Sequence, residues 1–292
     1  MSQIKSYSVG NGDMFYINHG SDNFTIIDCC LDDDRMGAVL GEISTLGKEK
    51  GITRFISTHP DEDHLKGLRE LDEKIGILNF YCVNNAATKE EESEDFLKYC
   101  ELRGSDKAFY IFKGCKRRWM NQTNEERKSS GITILWPETS NEHFRKALKN
   151  AAEGNSPNNI SPIIKYSLED GVTALWMGDL ETAFMESTRD VLELPPVDIL
   201  FAPHHGRESG KIPESMLQDL NPRIIVIGEA PSQHLNYYQS YSTITQNSTG
   251  DIHFECRESK VHIFTSNGYQ VDFLDNEGWS LDGFCYIGTL NL

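Results

Sequence analysis

A chain of 292 residues with 28 basic and 45 acidic side chains carries a formal net charge of −17, which opposes electrostatic capture by a long polyanion unless basic residues are gathered locally. The length fits one large layered α/β domain. No apolar run approaches the ~18–20 residues of a membrane-spanning helix, and the start MSQIKSYSVGNGD lacks a basic or apolar targeting segment, so a cytoplasmic protein with no membrane partner is expected.

Apolar clusters at residues 4–9 and 14–17 flank the turn Gly10-Asn11-Gly12-Asp13, and a third run at 24–30 follows the polar turn Gly20-Ser21-Asp22-Asn23. This predicts a series of short strands. Met36, Val39, Leu40, Ile43 and Leu46 recur at helical spacing and predict a helix over 35–47. A β-rich segment at 54–58 then runs directly into His59, followed by a helix at 65–71 and a strand at 76–84. Residues 85–130 are dominated by charge (KEEESED, KGCKRRW, NEERKSS) and read as a surface insertion or cap. In the second half, strands are expected at 132–136, 163–167, 172–177, 199–202 and 224–227, with helices near 141–152, 181–192 and 213–220. Two strand-rich halves with helices predict an αββα sandwich, two mixed sheets face to face with helices outside, formed by residues 1–292 as a single domain. Seven scattered cysteines without a C-x-x-C pair read as reduced thiols.

His59, Asp61, Asp63 and His64 place four potential metal ligands between an apolar strand and a predicted helix. Side chains two apart in extended chain point the same way, so His59, Asp61 and Asp63 are expected to converge while His64 reaches a neighbouring position. A solvated Asp-rich turn would contain the same residue types. It would not account for two further ligand-bearing turns after apolar runs, Trp176-Met177-Gly178-Asp179 and Leu200-Phe201-Ala202-Pro203-His204-His205-Gly206. Strand ends are where open α/β sheets collect functional residues.

In order and spacing these elements resemble the metallo-β-lactamase superfamily, in particular the branch containing the ComEC competence-protein hydrolase domain and phosphorylcholine esterase. Val9-Gly10-Asn11-Gly12-Asp13 is similar to that branch's V-G-Q-G-D, Ile26-Ile27-Asp28 to its L-I-D, and Thr58 to Gly67 to its T-H-x-H-x-D-H-x-x-G. Asn158-Asn159-x-Ser161, Gly178-Asp179 and His204-His205-Gly206 resemble its N-N-x-S, G-D and H-H-G.

The resemblance implies two divalent ions bridged by Asp179, with His59 and Asp61 at the first and Asp63, His64 and His204 at the second. His205 would be free to contact a substrate oxygen, and Asp28 would support the ligand loop from behind. A hydroxide bridging the two ions would attack, with Asp179 or Asp61 accepting its proton. Two departures matter: Asp61 stands where the family has a histidine, and between His64 and Asp179 only His143, in a segment expected to be helical, could supply the family's further one. The oxygen-rich first site makes Mn²⁺ or Fe²⁺ a competitor of Zn²⁺, and occupation of the second site alone is an alternative. Asn159, Ser161 and His234 are candidate substrate contacts, while Tyr237, Tyr238 and Tyr241 read as packing residues.

The favoured function is hydrolysis of phosphoester bonds by a phosphodiesterase or nuclease. The acidic chain points to a small phosphoester or nucleotide as substrate; single-stranded nucleic acid would have to use Lys113, Lys116, Arg117 and Arg118, the one dense basic cluster. Hydrolysis of an ester, lactone or thioester, and a regulatory binding module with weakened catalysis, are the alternatives.

Overall fold

A computed structural model describes residues Met1–Leu292. The first half folds as β1 (Ser2–Ser6), β2 (Phe15–Asn18), β3 (Asn23–Ile27), α1 (Asp33–Lys48), β4 (Ile52–Ile56), α2 (Glu62–Leu65), α3 (Leu68–Ile75), β5 (Phe80–Cys82), α4 (Glu94–Arg103) and β6 (Ala108–Tyr110). The second continues with β7 (Ile132–Trp136), α5 (Glu142–Ala152), β8 (Ile163–Ser167), β9 (Thr173–Trp176), α6 (Thr182–Thr188), β10 (Ile199–Phe201), α7 (Glu214–Leu220) and β11 (Ile224–Ile227). It ends in β12 (Thr243–Thr245), α8 (Gln246–Thr249), β13 (Ile252–Arg257), β14 (Lys260–Thr265) and β15 (Cys285–Asn291). No helix is long and apolar enough to cross a membrane.

The strands form two mixed sheets, one of nine in the order β15-β14-β13-β1-β2-β3-β4-β5-β6 and one of six in the order β12-β11-β10-β9-β8-β7. Neighbours from β3 to β6 run parallel, as do those from β9 to β12. Alternation of apolar side chains sets the layers. Phe15, Ile17, Ile27 and Ile56 enter the core between the sheets, whereas Tyr16, Phe24, Ile26 and Phe55 face the other way into a second core with Val39, Leu40 and Ile43 of α1. Phe144 and Ala151 of α5, Met185 of α6 and Leu217 of α7 pack onto the six-stranded sheet. Helices therefore cover the outer faces of both sheets.

The ligand-bearing turns leave the sheets at one rim because the strands that deliver them are locked together beneath it. Phe15 of β2 and Phe201 of β10 meet across the layers at 5.0 Å between ring centroids, and Trp176 of β9 stacks on Phe201 at 4.7 Å. Phe254 of β13 closes the cluster edge-on to Phe201 at 6.0 Å. Trp176 and Phe201 each lie three residues before the motif residues Asp179 and His204, so this aromatic packing fixes both turns.

Two segments add to the sequence reading. Within residues 85–130, expected as a charged surface insertion or cap, α4 buries Phe96, Tyr99 and Leu102 against the nine-stranded sheet, and β6 adds a parallel strand beside β5. Farther on, Cys115 and Met120 reach the core between the sheets. The charges hid a narrow apolar face with spacing of three residues. The carboxy-terminal strands were not expected at all, yet β13 pairs with β1 and extends the first sheet by three strands.

Candidate metal centre

β4 ends at Ile56, and the Ser57-Thr58-His59 segment that leaves it is held by Asp28, which follows β3. The fully buried Asp28 carboxylate accepts from Thr58 N at 2.8 Å, from Thr58 Oγ1 at 2.6 Å and from His64 Nδ1 at 2.9 Å. Thr58 Oγ1 spends its only proton on Asp28, so its lone pair accepts from His59 Nδ1 at 3.0 Å. His205 Nδ1 is held by Asp13 Oδ1 at 3.1 Å and His204 Nδ1 by Ser209 Oγ at 3.0 Å. Every histidine of the two motifs is thus engaged at Nδ1, so that in the neutral, Nδ1-protonated ring the lone pair lies at Nε2.

Those four Nε2 atoms converge on Asp179. His64 Nε2 lies 3.1 Å from Oδ1, while His59, His204 and His205 approach Oδ2 at 4.0, 3.6 and 3.6 Å. His205 Nε2 is also 3.5 Å from Asp63 Oδ2. Nε2 of His59, His64 and His205 and Oδ1 of Asp179 are all buried without a hydrogen-bond partner. Buried polar atoms rarely stay unpaired, and a bound cation would satisfy those of His64, His205 and Asp179. Asp13, His64, Asp179 and His205 have donor atoms within 4.8 Å of one another.

The electrostatics agree with a cation site. Against the burial that opposes charge, Asp179 and Asp28 raise His64 well above the usual histidine range, and Asp13 and Asp179 raise His205 to about 10. Asp179, although buried, is held well below the usual carboxylate range by His64 and His205. The carboxylates therefore demand positive charge here, which protons supply when no metal does. Burial and the neighbouring His64 charge push His59 down to about 3, and burial also lowers His204, so both rings are neutral near pH 7.

Close loop contacts and strained backbone shape the site. His204 and His205 both have left-handed φ angles, +52° and +55°, a conformation that costs non-glycine residues about 1–3 kcal/mol and persists where surroundings enforce it. Gly178 has φ +51°, and a Cβ there would meet Ser161 Oγ at 2.7 Å and Thr58 Cβ at 2.9 Å. Gly12 lets the Asp13 turn dock on the ligand loop, since a Cβ would lie 2.5 Å from the Asp63 carbonyl, to which Asp13 N donates at 3.2 Å.

His59, Asp63, His64, Asp179, His204 and His205 are brought together; Asp61 is not. Asp61, still extended as the residue just before α2 begins at Glu62, is 38 % exposed and faces Lys89 Nζ at 3.0 Å. The roles anticipated for the histidine pair also change. His205 is fully buried between Asp63 and Asp179 and closed to substrate, whereas His204 is the more accessible. Ser161 is buried at His59 Nδ1, 3.2 Å away, and accepts from Asp179 N, so it positions the donors rather than meeting substrate. Asn159 exchanges hydrogen bonds with Glu181, and His234 pairs with the Tyr237 hydroxyl at 2.9 Å, away from the cluster. His143 lies in α5 beside Lys146 and Glu181, outside the donor cluster. Asp13, which closes the Gly10-Asn11-Gly12 turn after the apolar run at 4–9, carries the same signal in the sequence as the other candidate donors and joins them here.

No protein-family model matches the chain, and no curated protein matches it. Among solved structures it is similar to the metallo-β-lactamase MIM-1 from Novosphingobium pentaromativorans, with a TM-score of 0.39 and 14% identity over 81% of this chain and 86% of that one.

Proposed function

We propose that the protein is a metal-dependent hydrolase of the metallo-β-lactamase type that cleaves phosphoester bonds in a small phosphoester or nucleotide. The observation that carries the reading is the convergence of four Nε2 atoms, each with its ring held at Nδ1, on the buried Asp179 carboxylate. Imidazole nitrogens mixed with the oxygens of Asp63 and Asp179 accept Zn²⁺, Mn²⁺ or Fe²⁺. A divalent ion supplies Lewis acidity and a water activated near neutral pH.

The chain's own residues then divide the work. Asp63, His64, Asp179 and His205 would hold the ion, with Asp13 and Asp28 fixing the two rings from behind. His204, neutral and partly exposed, has Nε2 available as a further ligand or as an acceptor of a proton. Arg207, whose charge helps to hold His204 down, donates to Asn11 and leaves a guanidinium beside the centre for the substrate's anionic oxygens. That cation favours anionic phosphoesters over neutral lactones, in keeping with the sequence resemblance to the ComEC and phosphorylcholine esterase branch.

The test is turnover by metal-loaded protein on bis-p-nitrophenyl phosphate, cyclic nucleotides and single-stranded DNA, run beside a lactone panel. Phosphodiester cleavage that disappears in Asp63→Ala is expected. Cleavage of lactones alone, or activity indifferent to Asp63→Ala, would refute the assignment.

A further inference from the structure

The position of Lys89 bears on how many ions the centre holds. Its backbone is set by Thr88, which bonds to the end of α5 through N to Ala151 O and Oγ1 to Ala152 O, both at 3.1 Å. The lysine stem passes Phe96, with Nζ 5.5 Å from the ring centroid. Nζ then donates to Asp61 Oδ1 at 3.0 Å and lies 4.0 Å from Glu62 Oε2, which is itself fixed by Ser93 Oγ at 2.9 Å. Only 20% of the side chain is exposed, and it lines a cleft of about 210 Å³ with Pro60, Asp61, Ser156 and Pro157.

This arrangement removes a donor from one side of the centre. Of the motif's two aspartates, Asp63 faces His205 while Asp61 faces Lys89. His59, 4.0 Å from Asp179 Oδ2, is thereby left without the carboxylate that a second ion would need beside it. A fixed ammonium in contact with that carboxylate also repels a divalent ion at short range, and more strongly in a partly buried cleft than in water.

We propose that Lys89 takes the place of a second metal ion: its ammonium neutralises Asp61 and supplies permanent positive charge at the cleft, so that the centre holds one divalent ion tightly. This rests on the metal-centre reading above and goes beyond it in stating what limits the number of ions and which residue imposes the limit. The lysine competes with the second ion for one carboxylate, so removing its charge frees that carboxylate for metal.

The experiment is a titration of chelator-stripped protein with Zn²⁺ and, separately, Mn²⁺, followed by calorimetry and by elemental analysis after gel filtration. Wild type and Lys89→Arg are expected to bind one ion per chain. Lys89→Met is expected to bind a second, its affinity raised about tenfold or more, and adding Asp61→Asn to that variant should restore one. The ion pair is partly exposed and contributes little to stability, so Lys89→Met is expected to fold; unligated melting curves check this, and Lys89→Gln serves as a second neutral variant. Two ions of comparable affinity in wild type, or one ion in both neutral variants, would overturn the proposal while leaving the metal centre intact. No binding by any variant would remove the centre and this proposal together.

Discussion

Replacing Asp28 by asparagine keeps the shape of a buried side chain and changes only where protons sit. The amide oxygen can keep the bond from Thr58 N at 2.8 Å, but the amide nitrogen then faces Thr58 Oγ1 and His64 Nδ1, which the carboxylate engaged at 2.6 and 2.9 Å. His64 can accept that bond only by moving its proton to Nε2, the atom 3.1 Å from Asp179. Thr58 Oγ1, now accepting from the amide, turns its own proton toward His59 Nδ1 at 3.0 Å and drives that ring to the same wrong tautomer. Loss of one such supporting partner typically lowers metal affinity by about 10–100-fold, or ~1.4–2.7 kcal/mol. Of the two rings only His64 belongs to the set proposed to hold the ion, so Asp28→Asn is expected to fall within that range of about 10–100-fold. Competition against a chromophoric chelator at fixed pH measures the loss, and melting of the unligated protein confirms the fold. An affinity within about threefold of wild type in a folded variant would show that Asp28 does not set the tautomers.

Metal binding is expected to release about two protons near pH 7, because His64 and His205 are protonated in the unligated centre and must be neutral to ligate. Apparent affinity should therefore fall by about two logarithmic units for each unit the pH drops below neutral; calorimetry in buffers of different ionisation enthalpy reports the proton count. Ser161→Ala should weaken metal binding while leaving KM for substrate unchanged, since Ser161 holds His59 and Asp179 and is itself buried; a rise in KM alone would return it to the role of substrate contact. Arg207→Ala should raise KM for an anionic phosphodiester at least about tenfold, the effect of losing one charge-assisted contact, and leave the metal count unchanged. Phe201→Ala, which empties the aromatic junction between the sheets, should cost about 3–5 kcal/mol in chemical denaturation.

Periodicity made most of the framework legible. β7, β8 and β11 coincide with the strands expected at 132–136, 163–167 and 224–227, and α1, α5 and α7 fall within a residue or two of the expected helices. Each has a one-sided or continuous apolar pattern that a reader can count. The carboxy-terminal strands lacked that clarity because buried polar residues interrupt them. His253 in β13 and His262 in β14 are both buried, and His262 is accommodated only through a bond from its ring to Thr289 of the neighbouring strand. A sequence shows such a histidine as polar and says nothing of the partner that lets it enter a sheet.

The cluster was legible in the sequence as an inventory of candidate donors, whereas the directions of those side chains were not. In H-x-D-x-D-H the extended chain turns into helix at Glu62. Before that boundary His59 points inward while Asp61 points to Lys89, and just beyond it Asp63 and His64 face His205 and Asp179. A further outer carboxylate comes from the Gly10-Asn11-Gly12-Asp13 turn, which holds His205 as Asp28 holds His64. The centre thus has a matched pair of histidine–carboxylate couples facing Asp179, one from each of two separate turns. On the remaining side His59 rests on two hydroxyls, Thr58 and Ser161, rather than on a carboxylate. A hydroxyl fixes a tautomer but adds no negative charge, so His59 is the weakest of the buried donors. That asymmetry is a second, independent reason, beside Lys89, to expect the ion at His64 and His205 first.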